Sequence, residues 1–338
     1  MKKIRVAIVG YGGIARVHNN AYQALLAEGY PVELVAVCDR DVSRITASLT
    51  LNLGNESLPL PQGIHIYSDA SELLEREEFD VADICLPTFL HKEMSCKMLL
   101  GGKHVLCEKP MALSYSDCLE MISAAKESGR RLMIGQVLRF WESYRFLFDA
   151  VRSEKFGKLD NIYMDRHSVY PTWGVSFADN SVTGGATLDT HIHDVDAARF
   201  ILGEPDSIFA TEFCNLPNYQ VVTSTLKFGD TTAIINCSWD SAYTKPFTSG
   251  YRARFERASV VCDDGAVTVT ELGAEPYKVE LAETDPTAEE IRYFIDGIIS
   301  GEKNTKNSPE DSAESVRLIE KIRQSAKEGK VVDPRSKS

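Results

Sequence analysis

Residues 4–15, Ile-Arg-Val-Ala-Ile-Val-Gly-Tyr-Gly-Gly-Ile-Ala, constrain the fold more than any other stretch of the chain. A short apolar run, the pattern of a buried strand, enters a glycine turn and then a helix-forming segment. The pattern is Gly-x-Gly-x-x-Ala, and each small residue has a physical reason. Gly10 permits the tight turn, Gly12 lacks the Cβ that would keep a diphosphate from the backbone, and Ala15 lets the helix lie close on the strand. The free N–H groups and partial positive charge at the helix start suit an anion, so Gly10, Gly12, Gly13 and Ile14 are candidate diphosphate contacts. A second strand, Val32–Cys38, follows and ends at Asp39, where an acid can accept a hydrogen bond from a ribose 2′-hydroxyl. A glycine loop in any parallel sheet shares part of this pattern. Strand, turn, helix, strand and acid in that order point to a bound dinucleotide. Asp39 repels a 2′-phosphate and favours NAD, whereas Arg40 beside it could hold that phosphate, which keeps NADP as the alternative.

Downstream, strands and helices alternate. Strands are expected at 64–67, 81–86, 104–107 and 132–134. Helices are expected at 42–51, after a cap at Ser68 or Asp69, at 90–100 and at 114–128. After about residue 130 the grammar changes to long β-rich runs at 161–169, 207–213, 221–228, 231–239, 251–255, 259–262 and 266–270. Turn residues at 229–230 and 263–265 separate some of them, and helices are expected at 185–202, 287–300 and 309–327. The fold class is therefore α/β: an N-terminal doubly wound parallel (Rossmann) sheet over 1–130, then a C-terminal α+β domain with an open, mainly antiparallel sheet over 131–338. The uncovered face of such a sheet needs a partner, so a homo-oligomer (dimer or tetramer) is expected.

Composition excludes some classes of function. A formal charge of -12 argues against nucleic acid and anionic membranes as main partners. Eight cysteines are scattered without a Cys-x-x-Cys pair, several inside apolar strand patterns, as for reduced thiols in a cytoplasmic protein. No apolar run is long enough to span a bilayer.

Three segments carry candidate chemistry. Cys107-Glu108-Lys109-Pro110 falls at the C-terminal end of an expected strand, the edge where open α/β sheets bind ligands. Lys109 there could hydrogen-bond a substrate oxygen and favour a developing alkoxide; a surface lysine in a turn, with a cis Lys-Pro bond, is the plainer alternative. In the expected helix 185–202, Asp189 and His193 are four apart and would share a face, so the carboxylate could fix the imidazole tautomer and raise its basicity. A surface ion pair, or a metal site of Asp189, His191, His193 and Asp194, are the competing readings. Residues two apart on a helix do not converge, and no metal is expected. In Leu86-Pro87-Thr88-Phe89-Leu90-His91, Pro87, Thr88 and His91 could border a nicotinamide, or His91 could simply start a helix. Arg166, His167, Tyr170 and Trp173 follow a strand and offer a guanidinium and aromatic faces to a sugar, or core packing. Arg139-Phe140-Trp141 could line the same cleft or tie domains together.

With these residues in hand, the chain resembles the Gfo/Idh/MocA oxidoreductases, the family of glucose–fructose oxidoreductase and inositol dehydrogenase. The resemblance rests on Gly-Tyr-Gly-Gly-Ile-Ala at 10–15, Pro-x-x-x-His at 87–91 and Gly-Lys-His-Val-Leu-Cys-Glu-Lys-Pro at 102–110. It rests also on Gly-Gly-Ala-Thr-Leu-Asp-Thr-His-Ile-His-Asp-Val-Asp at 184–196 and Ser308-Pro309-Glu310-Asp311. It implies a nicotinamide-dependent dehydrogenase of a sugar, cyclitol or related polyol, with Lys109, Asp189 and His193 catalytic and Glu108 beside the cofactor. Thr88 departs from a frequent asparagine, and His191 adds a second imidazole. Two other functions stay open: redox-neutral chemistry in which tightly held NAD⁺ transiently oxidises a sugar, and a non-enzymatic NAD(H)-binding regulator.

Overall fold

The computed structural model describes residues 3–46, 57–171, 179–216, 218–245 and 247–336. The chain forms two compact units, 1–140 with 284–313, and 141–283 with 314–338. A single boundary at 130 is therefore replaced by one at 140, with a late segment that belongs to the first unit.

In the first unit, β1 (Ile4–Val9), β2 (Val32–Cys38), β3 (His65–Tyr67), β4 (Val81–Ile84), β5 (His104–Glu108) and β6 (Leu132–Gly135) form a parallel sheet in the order β3-β2-β1-β4-β5-β6. Helices α1 (Gly13–Ala27), α2 (Ser43–Thr46), α3 (Ala70–Arg76), α4 (His91–Leu100) and α5 (Tyr115–Ser128) connect the strands. Local chemistry sets their ends. The Asp69 carboxylate accepts from Ser71 and Glu72 N–H at the start of α3, Ser114 caps α5, and Gly129 ends α5 with φ +64°. The helix expected over 42–51 is described only as Ser43–Thr46, and residues 47–56 lie outside the described part.

The late segment is drawn back by its apolar face. Helix α10 (Pro286–Ser300) is capped by Asp285 and buries Ile291, Phe294 and Ile295 in one cluster with Ala15, Tyr22 and Leu25 of α1 and Val6 and Ile8 of β1. Arg139 then donates to the Lys306 carbonyl at 2.7 Å and pairs with Asp311, and Phe140 packs on Tyr293. Arg139 and Phe140, expected to line a cleft or tie domains, bind the returning segment to its own unit.

The second unit holds an eight-stranded sheet in the order β14-β13-β12-β11-β7-β10-β9-β8. Its strands are β7 (Leu159–Ser168), β8 (Ser207–Leu216), β9 (Tyr219–Phe228), β10 (Thr231–Asp240), β11 (Phe247–Phe255), β12 (Ala258–Asp263), β13 (Ala266–Glu271) and β14 (Tyr277–Lys278). Only the β7–β10 pair is parallel. Burial alternates along β9: Val222, Ser224 and Leu226 are enclosed, whereas Val221, Thr223 and Thr225 are half-buried on the other face. Helices α6 (Glu142–Arg152), α7 (Asn180–Thr183), α8 (Gly185–Asp189) and α9 (His191–Leu202) belong to this unit, and α8 and α9 pack on β7, β9 and β10. Helix α11 (Pro309–Glu328) starts in the first unit and continues in the second. The single helix expected over 185–202 is divided in two at Thr190, whose φ of −110° stretches the helical turn.

Candidate functional site

The sheet order of the first unit reverses between β1 and β4, and open α/β sheets bind ligands beyond the strand ends at such a point. There Gly10 has φ +88°, and a Cβ on it would lie 2.9 Å from the Cys85 carbonyl oxygen and 2.8 Å from the Leu86 side chain. The turns after β1 and β4 touch through a residue that has to be glycine. Cβ atoms on Gly12 and Gly13 would meet nothing within 4 Å. No side chain caps α1 and no acid stands in its first turn. Open space and uncapped N–H groups at a helix start fit a diphosphate. Ile14 at this rim is exposed. Asp39 is fixed to the same turn: Oδ2 accepts from Tyr11 N–H at 2.7 Å and Oδ1 from Asp41 N–H at 2.9 Å. Arg40 is exposed beside it.

The loop after β4 begins at exposed Pro87 and continues through buried Thr88 to His91. His91 is fully enclosed. Its Nδ1 lies 2.8 Å from the Pro110 carbonyl and its Nε2 2.7 Å from the Leu86 carbonyl. Burial lowers its pKa, against the upward pull of both carbonyls. The expectation that His91 touches a cofactor is therefore corrected: it joins the loop after β4 to the loop after β5. Lys109 stands half-buried at the end of β5, and the Lys109–Pro110 bond is cis. Glu108 also turns inward rather than toward a ligand. Its Oε1 is 3.0 Å from His18 Nε2, and its Oε2 accepts from Lys109 N–H at 3.1 Å.

His18 and Asp83, with Tyr22, are the polar residues missed at the sequence level. His18 Nδ1 lies 2.8 Å from Asp83 Oδ2, which also accepts from Tyr22 OH at 2.9 Å. A signal was present in both cases. His18 lies on the apolar stripe of α1 between Ala15 and Tyr22, and Asp83 interrupts the apolar run of β4. Burial opposes the charge on His18, but Asp83 outweighs it and holds the ring well above the usual histidine range. Glu108 is held below the usual carboxylate range, its burial outweighed by His18. Among the described residues, His18, Asp83 and Cys85 also form the one cluster of metal-capable side chains, and hydrogen bonds within it account for their closeness.

In the second unit the break at Thr190 separates Asp189, the last residue of α8, from His193 in α9. The two residues lie in successive helices, so the sequence argument from one continuous helix carries no weight here. Burial gives a different one: from Thr183 to Arg199, Asp189 and His193 are the two residues not buried. Thr190 itself is tied inward by a 2.7 Å hydrogen bond from Trp239 Nε1. Tyr170, half-buried, packs edge-on against Trp239 with ring centres 5.8 Å apart. His167 lies beside Ser238 and Tyr243. Trp173 lies outside the described residues.

Two candidates are redirected. Arg166 is 3% exposed; its Nε and one terminal nitrogen bind the two oxygens of fully buried Asp194 at 2.7 and 3.0 Å, and Tyr144 OH joins them. Its expected place in a substrate pocket is corrected to that of a buried ion-pair partner, because Asp194 could not stay charged in the interior alone. His191 is enclosed, with Nε2 2.8 Å from Ser224 Oγ, and burial pushes its pKa down to about 3. With Asp194 and His191 so occupied, the four-residue metal reading of this segment has no geometric support.

A model for an oxidoreductase family with an NAD-binding Rossmann fold matches residues 4–136, and the GFO/IDH/MocA C-terminal domain model matches residues 144–268. The chain belongs to the GFO/IDH/MocA oxidoreductase family. The cofactor domain of this GFO/IDH/MocA protein is accordingly an NAD-binding one. A D-glucoside 3-dehydrogenase of Escherichia coli (strain K12) is 33% identical over 228 residues, 65% of this chain and 58% of that protein, so this match spans less than two thirds of the relative. A D-apiose dehydrogenase of Paraburkholderia graminis is 26% identical along 99% of this chain and 91% of its own. The crystal structure of an aldose–aldose oxidoreductase from Caulobacter crescentus, complexed with glycerol, has the same fold. Its TM-score is 0.82 at 24% identity, over 98% of this chain and 100% of that one.

Proposed function

We propose that this chain is an NAD-dependent dehydrogenase acting on a CH–OH group of a sugar, cyclitol or related polyol. One observation carries the reading: Asp189 and His193 alone stay partly exposed in an otherwise buried run. The lysine of the Glu-Lys-Pro segment at the ligand-binding edge of the first unit adds to it. Relatives named as dehydrogenases of sugars support the substrate class.

NAD, held at the Gly10–Ile14 turn and Asp39, supplies the hydride acceptor. His193 takes the substrate hydroxyl proton as general base, and Asp189 steadies the resulting imidazolium. The Lys109 ammonium donates a hydrogen bond to the reacting oxygen and favours its developing negative charge. Asp39 selects NAD over NADP by repelling a 2′-phosphate. The partly exposed face of the second unit's sheet carries Phe209, Phe213 and Ile234, and a second copy of the chain covering this face as a homo-oligomer fits its apolar character.

The test is NADH formation from a panel of sugars and cyclitols, with His193→Ala expected to lower turnover by ~10² to 10⁴. An unchanged rate removes His193 from the reaction. Turnover without net NADH, with cofactor retained through purification, replaces this reading by the redox-neutral one. Cofactor binding without turnover replaces it by a regulator.

A further inference from the structure

We propose that His18 is a positioning residue for Lys109, acting through Glu108. The inference rests on the reading of Lys109 as the group that meets the substrate oxygen.

The geometry is a buried chain of polar atoms. Asp83 on β4 accepts from Tyr22 of α1 and faces His18 Nδ1; His18 Nε2 faces Glu108; Glu108 then accepts the backbone N–H of Lys109. Both ring nitrogens of His18 point at carboxylate oxygens. Each must carry a hydrogen for both contacts to be attractive, so the ring is an imidazolium. Its cation holds two enclosed carboxylates that would otherwise repel one another. Glu108 is thereby given one orientation, with its second oxygen on Lys109 N–H, at the residue whose side chain leaves the strand end.

Two further features indicate that the carboxylate has been given space for this purpose. Gly135 on β6 stands opposite Glu108 in the sheet, and a Cβ there would lie 2.8 Å from Glu108 Oε1. A glycine inside a strand costs stability and marks a close approach. On the other side, His91 holds the carbonyl of Pro110. The Lys109 peptide is thus fixed before and after the lysine, by the charged network on one side and by the His91 ring on the Pro110 carbonyl on the other. An interior needing only stability would be served as well by apolar side chains.

Glu108→Gln tests this. An amide has one carbonyl oxygen: if it keeps the Lys109 N–H, its NH₂ faces His18 Nε2, which is tolerated only when the ring gives up that proton and with it the cation that holds the network. Lysines are reductively methylated with ¹³C-formaldehyde, and the Lys109 dimethylamino resonance is identified by its loss in Lys109→Arg. In NADH-saturated E108Q that resonance is expected to shift and its pH titration to move, while the remaining lysine resonances stay in place. A folded E108Q whose Lys109 resonance and titration match the unmodified sequence overturns the proposal. Should E108Q not fold, Glu108→Asp keeps the charge for His18 but shortens the reach to Lys109, and the same resonance decides. Activity supplies a second readout: kcat per titrated NADH site is expected to fall by about 10²-fold in E108Q, as for a misplacement near 1 Å. A merely structural role would reduce the number of sites and leave kcat per site unchanged. If the unmodified chain turns over no sugar or cyclitol, the dehydrogenase reading fails, and the resonance still judges the positioning role.

Discussion

Replacing Arg166 by methionine separates a structural from a substrate-binding role for this residue. In the folded second unit Asp194 is fully buried and its two oxygens accept from Arg166 at 2.7 and 3.0 Å. Arg166→Met leaves that carboxylate with the Tyr144 hydroxyl, 3.1 Å away, as its remaining named partner. Removing one member of a buried pair costs about 3–5 kcal/mol, chiefly because the other charge is stranded. With a urea m-value near ~2 kcal/mol/M, the unfolding midpoint should fall by about 2 M. Tryptophan fluorescence is the natural assay, because Trp239 is buried in the second unit and reports its unfolding. The double variant R166M/D194L should regain most of the loss, since a well-packed apolar pair can replace a buried ion pair at little or no cost. A single variant within about 1 kcal/mol of the original, or a double variant as unstable as the single, would refute the ion-pair argument. Normal stability with a raised KM would return Arg166 to the substrate.

Gly10→Ala should destabilise the first unit by roughly 2–4 kcal/mol, from positive φ and a Cβ pressed against the Cys85 carbonyl; hydrogen exchange of β1 and β4 amides reads the loss, and unchanged protection contradicts it. His191 gives a pH effect of definite sign. Its folded pKa of about 3 lies below the unfolded value, so the stability it contributes is present above about pH 6.5 and is lost as pH falls toward 3. His191→Gln should lower the slope of stability against pH in that window by about 1.4 kcal/mol per pH unit, measured by urea titrations at stepped pH. An unaltered slope would mean that the ring is not held neutral.

Much of the architecture was legible because local chemistry and tertiary need agree. Apolar runs ending at Gly10, Pro87 and Glu108 became strands of the parallel sheet, and the helix expected after Ser68 or Asp69 and the one expected over 114–128 both form, with Asp69 and Ser114 as their caps. The hairpin turns at 229–230 and 263–265 also formed, with Gly229 and Gly265 at positive φ. What failed depended on partners distant in sequence. Residues 191–202 look like a continuation of 185–189, and the hydrogen bond from Trp239, 49 residues on, holds Thr190 at the break. Arg166 carries the composition of a sugar site, and its assignment turns on Asp194, 28 residues away. Helix α10 has the pattern of any amphipathic helix; nothing local says that its apolar face belongs to α1, more than 250 residues earlier. The Lys109 surroundings were half legible: the lysine stood in a motif, whereas the imidazole and acid behind it stood in two elements that only the folded sheet brings together.

The return of residues 284–313 has a consequence for synthesis. Domains ordinarily fold as they leave the ribosome, the N-terminal one first. Here the nucleotide-binding unit emerges early but lacks the helix that covers Ala21 and Leu25 until residues 286–300 have been made. The later-encoded sheet has all its strands available beforehand, so the order of emergence and the order of completion are reversed. Until then, a bare apolar flank on α1 is the surface that a chaperone would meet.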